Sequence, residues 1–246
     1  MHPAPTPALP VTTLTIITLL PAHRRWGLAQ MGVLPRSFGQ VPGLRFGKLL
    51  GSGFDFGLRP NLRRYGLLAV WDSEAAAAAF FDHSPLWQSY RQRTSELWTA
   101  YLQPLHSHGL WDGTEPFGPA VAAEAPGADE PVAVLTRASI RLRRSWEFWR
   151  AVPPVSRAVR TAPGYLGGIG LGELPLIRQA TFSLWESAGL MRQYAYGRQA
   201  AGRHQDVIRR TRQEQWYSEE LFARFRVLRA EGSWDGQNPL SRPERA

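Results

Sequence analysis

The sequence predicts an α+β fold in which two tandem ferredoxin-like βαββαβ repeats form an α+β barrel. The chain resembles itself, because GLLAVWDS at 66–73 aligns with ATFSLWES at 180–187. β-branched and aromatic runs bounded by glycine or proline alternate with segments whose apolar residues recur at helical spacing. Each half therefore has the order strand, helix, strand, strand, helix, strand, which is that of a ferredoxin-like unit. Two such sheets are expected to form a barrel with a cavity between sheet and helices.

The first repeat covers residues 11–110. Its first strand, TLTIITLL, is rich in threonine and isoleucine, which favour an extended chain. The predicted elements are a strand at 13–20, a helix at 24–40, strands at 44–53 and 64–73, a helix at 73–93 and a strand at 95–105.

The second repeat covers residues 132–234. Its first helix is indicated by apolar residues at helical spacing, as at Phe148, Ala151 and Val155. The predicted elements are a strand at 132–142, a helix at 145–162, strands at 165–176 and 178–187, a split helix from 188 to about 215 and a strand at 219–228.

The remaining segments connect or flank the repeats. We expect a flexible N-terminus at 1–10, a linker at 111–131 and a polar tail at 235–246. The apolar run at 11–21 is about half the length of a membrane span, and no basic segment precedes it as in a signal peptide. The sequence therefore predicts a cytoplasmic protein.

Composition limits the chemistry. The chain has no cysteine, which excludes disulfides, thiolate ligands and a cysteine nucleophile. The net charge of +9 suggests nucleic acid, an anionic membrane or an acidic ligand as partner. However, Lys48 is the only lysine, so a bias toward arginine explains much of this charge. Lys48 is either a lysine that the bias has not replaced by arginine, or a residue at a position that needs a compact ammonium group.

The two halves differ in length before their last strand. The difference in residue number between equivalent positions is 114 for Trp71 and Trp185, and it grows to 124 when Glu96 is paired with Glu220. The extra residues fall around YGRQAAGRHQD. An insertion in only one copy of a duplicated scaffold is a place where a functional site is expected. This segment contains His204.

His204 is the strongest candidate for a chemical role. On a helix, His204, Val207, Ile208 and Thr211 share one face, which would turn inward. An inward imidazole is a satisfied core histidine, a general base or a metal ligand, and the residues alone leave these alternatives open. The arginines around it lie on the other faces. They lack interleaved aromatic residues and a nucleic-acid motif, so no nucleic-acid partner is expected.

Two other patterns are weaker. His106 and His108 have the spacing of a strand-borne metal pair, but no third ligand is near them in the sequence. Gly168 and Gly170 lie within a predicted strand, where glycine is costly. They indicate the close approach of a ligand or another backbone, or else a bulge.

Seven stretches are informative together: RWGLAQMG, FGKLLGSG, WDGTEPF, LTRASIR, GIGLGELPL, TFSLWES and WYSEELFARFRVL. Through these stretches the sequence resembles the spheroidene monooxygenase family, the carotenoid 2-ketolases of purple bacteria. The resemblance runs from about residue 12 to residue 240.

The resemblance implies a haem b-containing monooxygenase that acts on a hydrophobic, carotenoid-like substrate. The fold is also similar to the haem-binding dimeric α+β barrels, in which a histidine on a helix of the second repeat binds iron. His204, followed by Ile208 in the pattern H-x-x-x-I, is implied as the metal ligand. Phe148, Trp149, Gly168 and Gly170 are expected around the cofactor. Lys48 and Arg137 are expected at the cavity, on a propionate or on the distal side.

The resemblance also implies partners. An external electron donor is expected because the chain has no flavin or nicotinamide motif. We further expect a homo-oligomer and a peripheral contact with the inner membrane through basic patches.

The sequence departs from the family pattern at one place. Gly167 and Gly168 stand where the pattern has a bulky aromatic residue and a lysine, which predicts a larger cavity. This difference leaves two alternatives, a haem-dependent reaction of the aldoxime-dehydratase or nitrene-transfer type and a haem-free ligand-binding barrel.

Overall fold

The computed structural model describes residues 10–118, 126–197, 211 and 213–241. These residues contain eight β-strands, five α-helices and short 3-10 segments. The strands are β1 (Val11–Leu19), β2 (Leu44–Gly53), β3 (Pro60–Trp71), β4 (Thr94–Gly109), β5 (Val132–Ile140), β6 (Tyr165–Leu174), β7 (Arg178–Trp185) and β8 (Tyr217–Gly232). The helices are α1 (Arg24–Val33), α2 (Glu74–His83), α3 (Pro85–Arg91), α4 (Ser145–Arg160) and α5 (Ala188–Tyr196).

The eight strands form one closed barrel in the order β1-β3-β2-β6-β7-β5-β8-β4. Within each repeat the strands keep the ferredoxin-like arrangement, and the two sheets join edge to edge through β2–β6 and β4–β8. All neighbouring strands are antiparallel. The predicted fold class is therefore confirmed. Closure leaves no open sheet edge, which removes a common cause of aggregation.

The helix boundaries follow local chemistry. α1 ends at Val33, earlier than predicted, because Pro35 cannot continue the α-helical hydrogen bonds and a 3-10 segment follows. The predicted helix at 73–93 is two helices, since Ser84 ends α2 and caps α3 immediately before Pro85. None of the helices among the described residues has the length and hydropathy needed to cross a bilayer.

Two equivalent turns close the ends of the barrel. Trp111–Thr114 follows β4 and Trp234–Gln237 follows β8, each with an isolated β-bridge across the turn. A carboxylate in each repeat accepts hydrogen bonds from two backbone N–H groups of the opposite turn. Glu219 does this for the first turn and Glu96 for the second.

This symmetry corrects the predicted alignment of the last strands. Glu96 corresponds to Glu219, not to Glu220, so that Trp98 and Leu221 both point into the barrel. A slip of one residue would send every side chain to the wrong face.

Side chains fill the barrel interior. Trp98, Phe182 and Phe225 are almost fully buried there, among aliphatic residues from all eight strands. Trp111 and Phe117 also insert into this core, so the start of the predicted linker belongs to the barrel rather than to a simple connection. Any ligand site large enough for a substrate must therefore lie outside the barrel, between the sheet and the helices.

Candidate functional site

A cavity of about 900 Å³ lies in the second repeat, between α4 and the outward face of β5, β6 and β7. It extends along the outward face of β8 and β4, and across the β2–β6 seam to residues of the first repeat. Its position between sheet and helices is the one that the sequence predicted. Its volume is within the range of sites for large organic ligands.

The floor of the cavity carries small side chains. Ala138 on β5, Gly170 on β6, and Thr181 and Ser183 on β7 all face it. The hydroxyls of Thr136 and Thr181 are 2.6 Å apart and hydrogen-bond across the paired strands. Because the side chains of Ala138, Thr181 and Ser183 are short, the sheet is open to the cavity at these positions.

The opposite wall is the apolar face of α4. Phe148, Val152 and Val155 recur at helical spacing along it, and Trp149 lies beside them. The indole Nε1 of Trp149 donates a hydrogen bond of 3.1 Å to the carbonyl of Leu176 in the β6–β7 turn, which fixes the ring. Phe148 and Trp149 thus line the cavity.

The strand glycines are explained by a close backbone contact. A Cβ atom on Gly170 would lie 2.9 Å from the Cα atom of Phe56, whose 3-10 segment (Phe54–Phe56) crosses β6. A Cβ atom on Gly168 would lie 2.6 Å from the Tyr165 hydroxyl and 2.8 Å from the Phe182 carbonyl. Of the alternatives left open by the sequence, another backbone is therefore the one observed at Gly170.

This packing corrects the expectation that the glycines enlarge the cavity. Gly170 lines it, but Gly168 is not among the lining residues of the described chain. The space beside Gly168 is taken by Tyr165 and Phe56. Gly167 does not line the cavity either, since Pro239 and Trp234 are nearest to a Cβ atom placed there, so the loss of the aromatic residue and the lysine does not enlarge the cavity.

Two of the phenols that line the cavity, those of Tyr194 and Tyr217, remain protonated at neutral pH. Burial raises the pKa of Tyr194 to about 12. Burial also raises the pKa of Tyr217, and the charge of Glu220 adds to this effect, while a hydrogen bond with Thr211 opposes it. Both side chains are therefore neutral hydrogen-bonding groups rather than phenolates.

A basic group lies at the β4–β8 end of the cavity. His106 pairs with Arg224 and His108 with Phe222 across the two strands, and all four residues line the cavity. The His108 ring stacks on Phe222 at 5.3 Å, and the two imidazoles are 5.5 Å apart. The spacing of the histidines in the sequence indicated a pair, whereas Arg224 was not predicted at this site. The sequence feature that could have indicated Arg224 is the alternation of inward and outward side chains along β8, which places Arg224 on the outward face opposite His106.

Lys48 and Arg137 lie together, but inside the end of the barrel. The Lys48 Nζ atom is 2.5 Å from Asp112 and 3.0 Å from Glu173. The Arg137 guanidinium is 3.0 Å from Asp112 and 3.4 Å from Glu173, and it also pairs with Glu219. The Arg137 side chain is only 1% exposed. Buried charges of this kind are tolerated when each finds a partner.

The network lowers the pKa of two of its carboxylates, Asp112 and Glu219. Burial alone would raise the pKa of Asp112, but the hydrogen bond and charge of Lys48, with Arg137 and Arg178, lower it overall. The pKa of Glu219 is lowered as well. Burial alone would raise it, but the hydrogen bonds from the backbone N–H groups of the turn and the guanidinium of Arg137 outweigh burial. These acids therefore stay ionised at neutral pH.

This arrangement corrects the expected role of both basic residues. Lys48 does not line the cavity in the described part of the chain. Arg137 is among the lining residues, but its guanidinium forms ion pairs with three carboxylates. Neither is free to bind a propionate. The sequence could not show this, because the acids come from the turn after β4 and from two strands of the second repeat.

The predicted metal ligand His204 and its neighbour Ile208 lie outside the described residues. The residues that the structure describes contain no group of three or more histidine or acidic side chains arranged to hold a metal ion. His106 and His108 therefore remain a pair without a third ligand in this part of the chain.

No protein-family model matches the chain. Among solved structures, an aldoxime dehydratase in complex with butyraldoxime matches with a TM-score of 0.54 and 11% identity, covering 89% of this chain and 79% of that one. Another aldoxime dehydratase matches with a TM-score of 0.52 and 11% identity, covering 89% and 81%. At this level of identity the likeness concerns the fold alone.

Curated relatives match more closely in sequence. Spheroidene monooxygenase of Rhodobacter capsulatus is 40% identical over 218 residues, which covers 88% of this chain and 89% of that protein. Spheroidene monooxygenase of Rubrivivax gelatinosus is 41% identical over 231 residues, covering 92% and 86%. Identity at this level over almost the whole of both proteins shows the family: the chain belongs to the spheroidene monooxygenase family.

Proposed function

We propose that this protein is a haem-dependent monooxygenase that inserts oxygen into a long, hydrophobic, carotenoid-like polyene. Family membership supports the monooxygenase reaction and the substrate class. The observation that carries the proposal in this chain is the cavity of about 900 Å³ in the second repeat. Its aromatic wall and its open floor suit a large planar group beside an apolar substrate.

The described residues fit a haem group. Phe148 and Trp149 offer aromatic contact on one side, and the short side chains of Thr181 and Ser183 leave the floor open on the other. Arg224 brings a cation to the same cavity. A porphyrin with carboxylate side chains needs this combination of a planar apolar slot and a basic end.

Within the proposal, His204 binds the iron and Ile208 contacts the cofactor. With no cysteine in the chain, a nitrogen ligand is the natural axial choice. When bound, haem would supply the iron at which oxygen is activated. The residues of α4 exclude water from the site, and the protonated hydroxyls of Tyr194 and Tyr217 offer hydrogen bonds within it.

The reaction needs a partner for electrons. A monooxygenase places one atom of O2 in the substrate and releases the other as water, which consumes electrons and protons from outside. We therefore include an external electron donor in the proposal. We also include a homo-oligomer, which light scattering of the purified protein would test. A monomer at all concentrations would exclude it.

Absorption spectroscopy of the reconstituted protein tests the cofactor. We expect haem to give a Soret band whose position shifts or whose intensity falls in His204→Ala, while His83→Ala in the first repeat leaves it unchanged. A wild-type protein without a Soret band would favour the haem-free barrel. An unchanged band in His204→Ala would refute the iron ligand.

Turnover tests the reaction. Purified protein with haem, a reductase system and a carotenoid polyene should give a product that carries one labelled atom from isotopically labelled O2. Conversion of an aldoxime to a nitrile without any reductant would instead support the aldoxime-dehydratase alternative. The structural likeness to aldoxime dehydratases does not favour that alternative, because it concerns the fold alone.

We propose a peripheral membrane contact beside the cavity, where a lipid-soluble substrate would enter. Leu142 is 74% exposed and Trp146 is 71% exposed, just before and within the first turn of α4. Arg141 and Arg143 flank Leu142 in the sequence. Exposed apolar side chains beside arginines suit an anionic membrane surface. Cosedimentation with anionic but not zwitterionic vesicles, weakened in Trp146→Ala, would support this contact, and equal binding of the variant would contradict it.

A further inference from the structure

Arg224 is a cation in the cavity for which the described residues provide no ion-pair partner. It points outward from β8, since its neighbours Ala223 and Phe225 are in the barrel core. Its Nε atom is buried and has no hydrogen-bond partner. A buried donor left without a partner costs stability, so such a group calls for an explanation.

The other charges on this side do not neutralise Arg224. Arg226, the next residue on the same face of β8, has its Nε atom 3.1 Å from Glu130. Glu220 also lines the cavity, but it lies four positions before Arg224 on the extended strand β8. At the rise of a β-strand, their Cα atoms are roughly 13 Å apart. The nearest groups across the strand pair are imidazoles, since Arg224 pairs with His106 and His108 lies beyond it.

We infer that Arg224, with His106 and His108 beside it, is the binding site for a carboxylate of the ligand in this cavity. This inference rests on the proposed function in one respect, because the propionate side chains of haem are the carboxylates that the proposal supplies. A long-chain fatty acid would offer the same chemistry. The guanidinium fork matches a carboxylate in two parallel hydrogen bonds, which lysine or histidine alone does not provide.

The inference replaces the role that the sequence gave to Lys48 and Arg137. Those residues are neutralised by Asp112, Glu173 and Glu219 inside the barrel end. Arg224 faces the cavity and lacks such a partner. A carboxylate bound there would place the polar edge of the ligand at β4 and β8, and its apolar body between α4 and the sheet.

Titration with iron-free protoporphyrin IX and with its dimethyl ester tests the site without depending on iron ligation. Binding is followed by quenching of tryptophan fluorescence. Arg224→Gln should bind the free acid roughly 10- to 100-fold more weakly, because a charge-assisted hydrogen bond is lost. Its affinity for the ester should equal that of the wild type. Arg226→Gln is the matched control and should bind both forms normally.

A second pair of ligands separates this inference from the proposed function. Palmitate and its methyl ester carry the same difference in charge without a porphyrin. If the wild type binds neither porphyrin while palmitate binding depends on Arg224, the carboxylate site stands and the haem proposal falls. If Arg224→Gln binds each acid as tightly as the wild type, or loses acid and ester equally, the carboxylate site is refuted. Arg224→Lys, which keeps the charge, checks that a loss does not come from misfolding.

Discussion

The outward faces of the two repeats have the same strands but opposite packing. In the first repeat, Ile17, Leu49 and Leu67 are at most 4% exposed beneath the helices. Equivalent register positions in the second repeat hold Ala138, Gly170 and Thr181. Three large apolar side chains are thus replaced by small ones.

The helices show the same contrast. Above the first sheet, α2 and α3 bring Phe80, Trp87 and Tyr90, whose rings contact one another and Trp71. In the second repeat the smaller cluster under α5 joins Trp185 to Tyr194, with ring centroids 5.2 Å apart.

The first helix of each repeat adds to the difference. Gly27 in α1 lets the helix lie against the sheet, since a Cβ atom there would be 2.3 Å from Leu19 and 2.8 Å from Tyr65. The same position counted from the start of α4 is Phe148, which lines the cavity. The first repeat is thus a packed scaffold, whereas the second keeps an open cavity between sheet and helix.

The largest expected effect is on stability, in the packed repeat. Leu67→Ala should lower the free energy of unfolding by about 2–5 kcal/mol, because it opens a void in a filled core. Thr181→Ala at the equivalent position should cost less than about 1 kcal/mol, mainly through the lost hydroxyl contact. Urea unfolding measures both. Equal costs would show that the two outward faces are packed alike.

Filling the cavity should remove its capacity for ligands. Ala138→Ile with Thr181→Leu rebuilds the floor of the first repeat in the second. Binding of protoporphyrin IX should weaken roughly 10- to 100-fold, because the new side chains occupy the space for the ring. Ala158→Ile on the exposed side of α4 is the control. Unchanged affinity of the double variant would place the binding site elsewhere.

The close approach of α1 is tested by two glycines of that helix. Gly27→Ala should destabilise the protein by about 1–3 kcal/mol through overlap with Leu19 and Tyr65. Gly32→Ala should be neutral or stabilising by up to about 1 kcal/mol, since a Cβ atom there meets nothing within 4 Å and alanine favours the helix. Thermal unfolding compares them. A neutral Gly27→Ala would contradict the tight packing of the first repeat.

The smallest expected effect concerns pH and compares the two turns at the barrel ends. The pKa of Asp112 is lowered in the folded state, so its contribution to stability is present above its unfolded pKa of about 4 and is lost as pH falls through the folded pKa. Stability should therefore decline below about pH 4, and less steeply in Asp112→Asn.

Asp235, in the equivalent turn, is the control. Its carboxylate is 65% exposed and pairs with Arg64 alone among the described ion pairs. Asp235→Asn should keep the wild-type dependence of the melting temperature between pH 7 and pH 3. An identical dependence in both variants would refute the role of the buried network.

Much of the fold was set by local sequence. The internal match around Trp71 and Trp185 predicted the repeats. Ser73 and Ser187, two residues after these tryptophans, cap α2 and α5. Strand β2 has the predicted bounds, Leu44–Gly53. Such features follow from alternation, helical spacing and capping, all of which act over a few residues.

The tertiary structure alone decided which side chains meet. Lys48 and Arg137 belong to different repeats, and only the closure of the barrel brings them to Asp112 and Glu173. Arg224 faces the cavity because the register of β8 sends alternate residues outward, and a shift of one residue would reverse this. Strand order and register depend on packing between distant segments. The sequence therefore determined the elements and their duplication, while long-range packing decided that Lys48 and Arg137 are neutralised and that Arg224 faces the cavity without a carboxylate partner among the described residues.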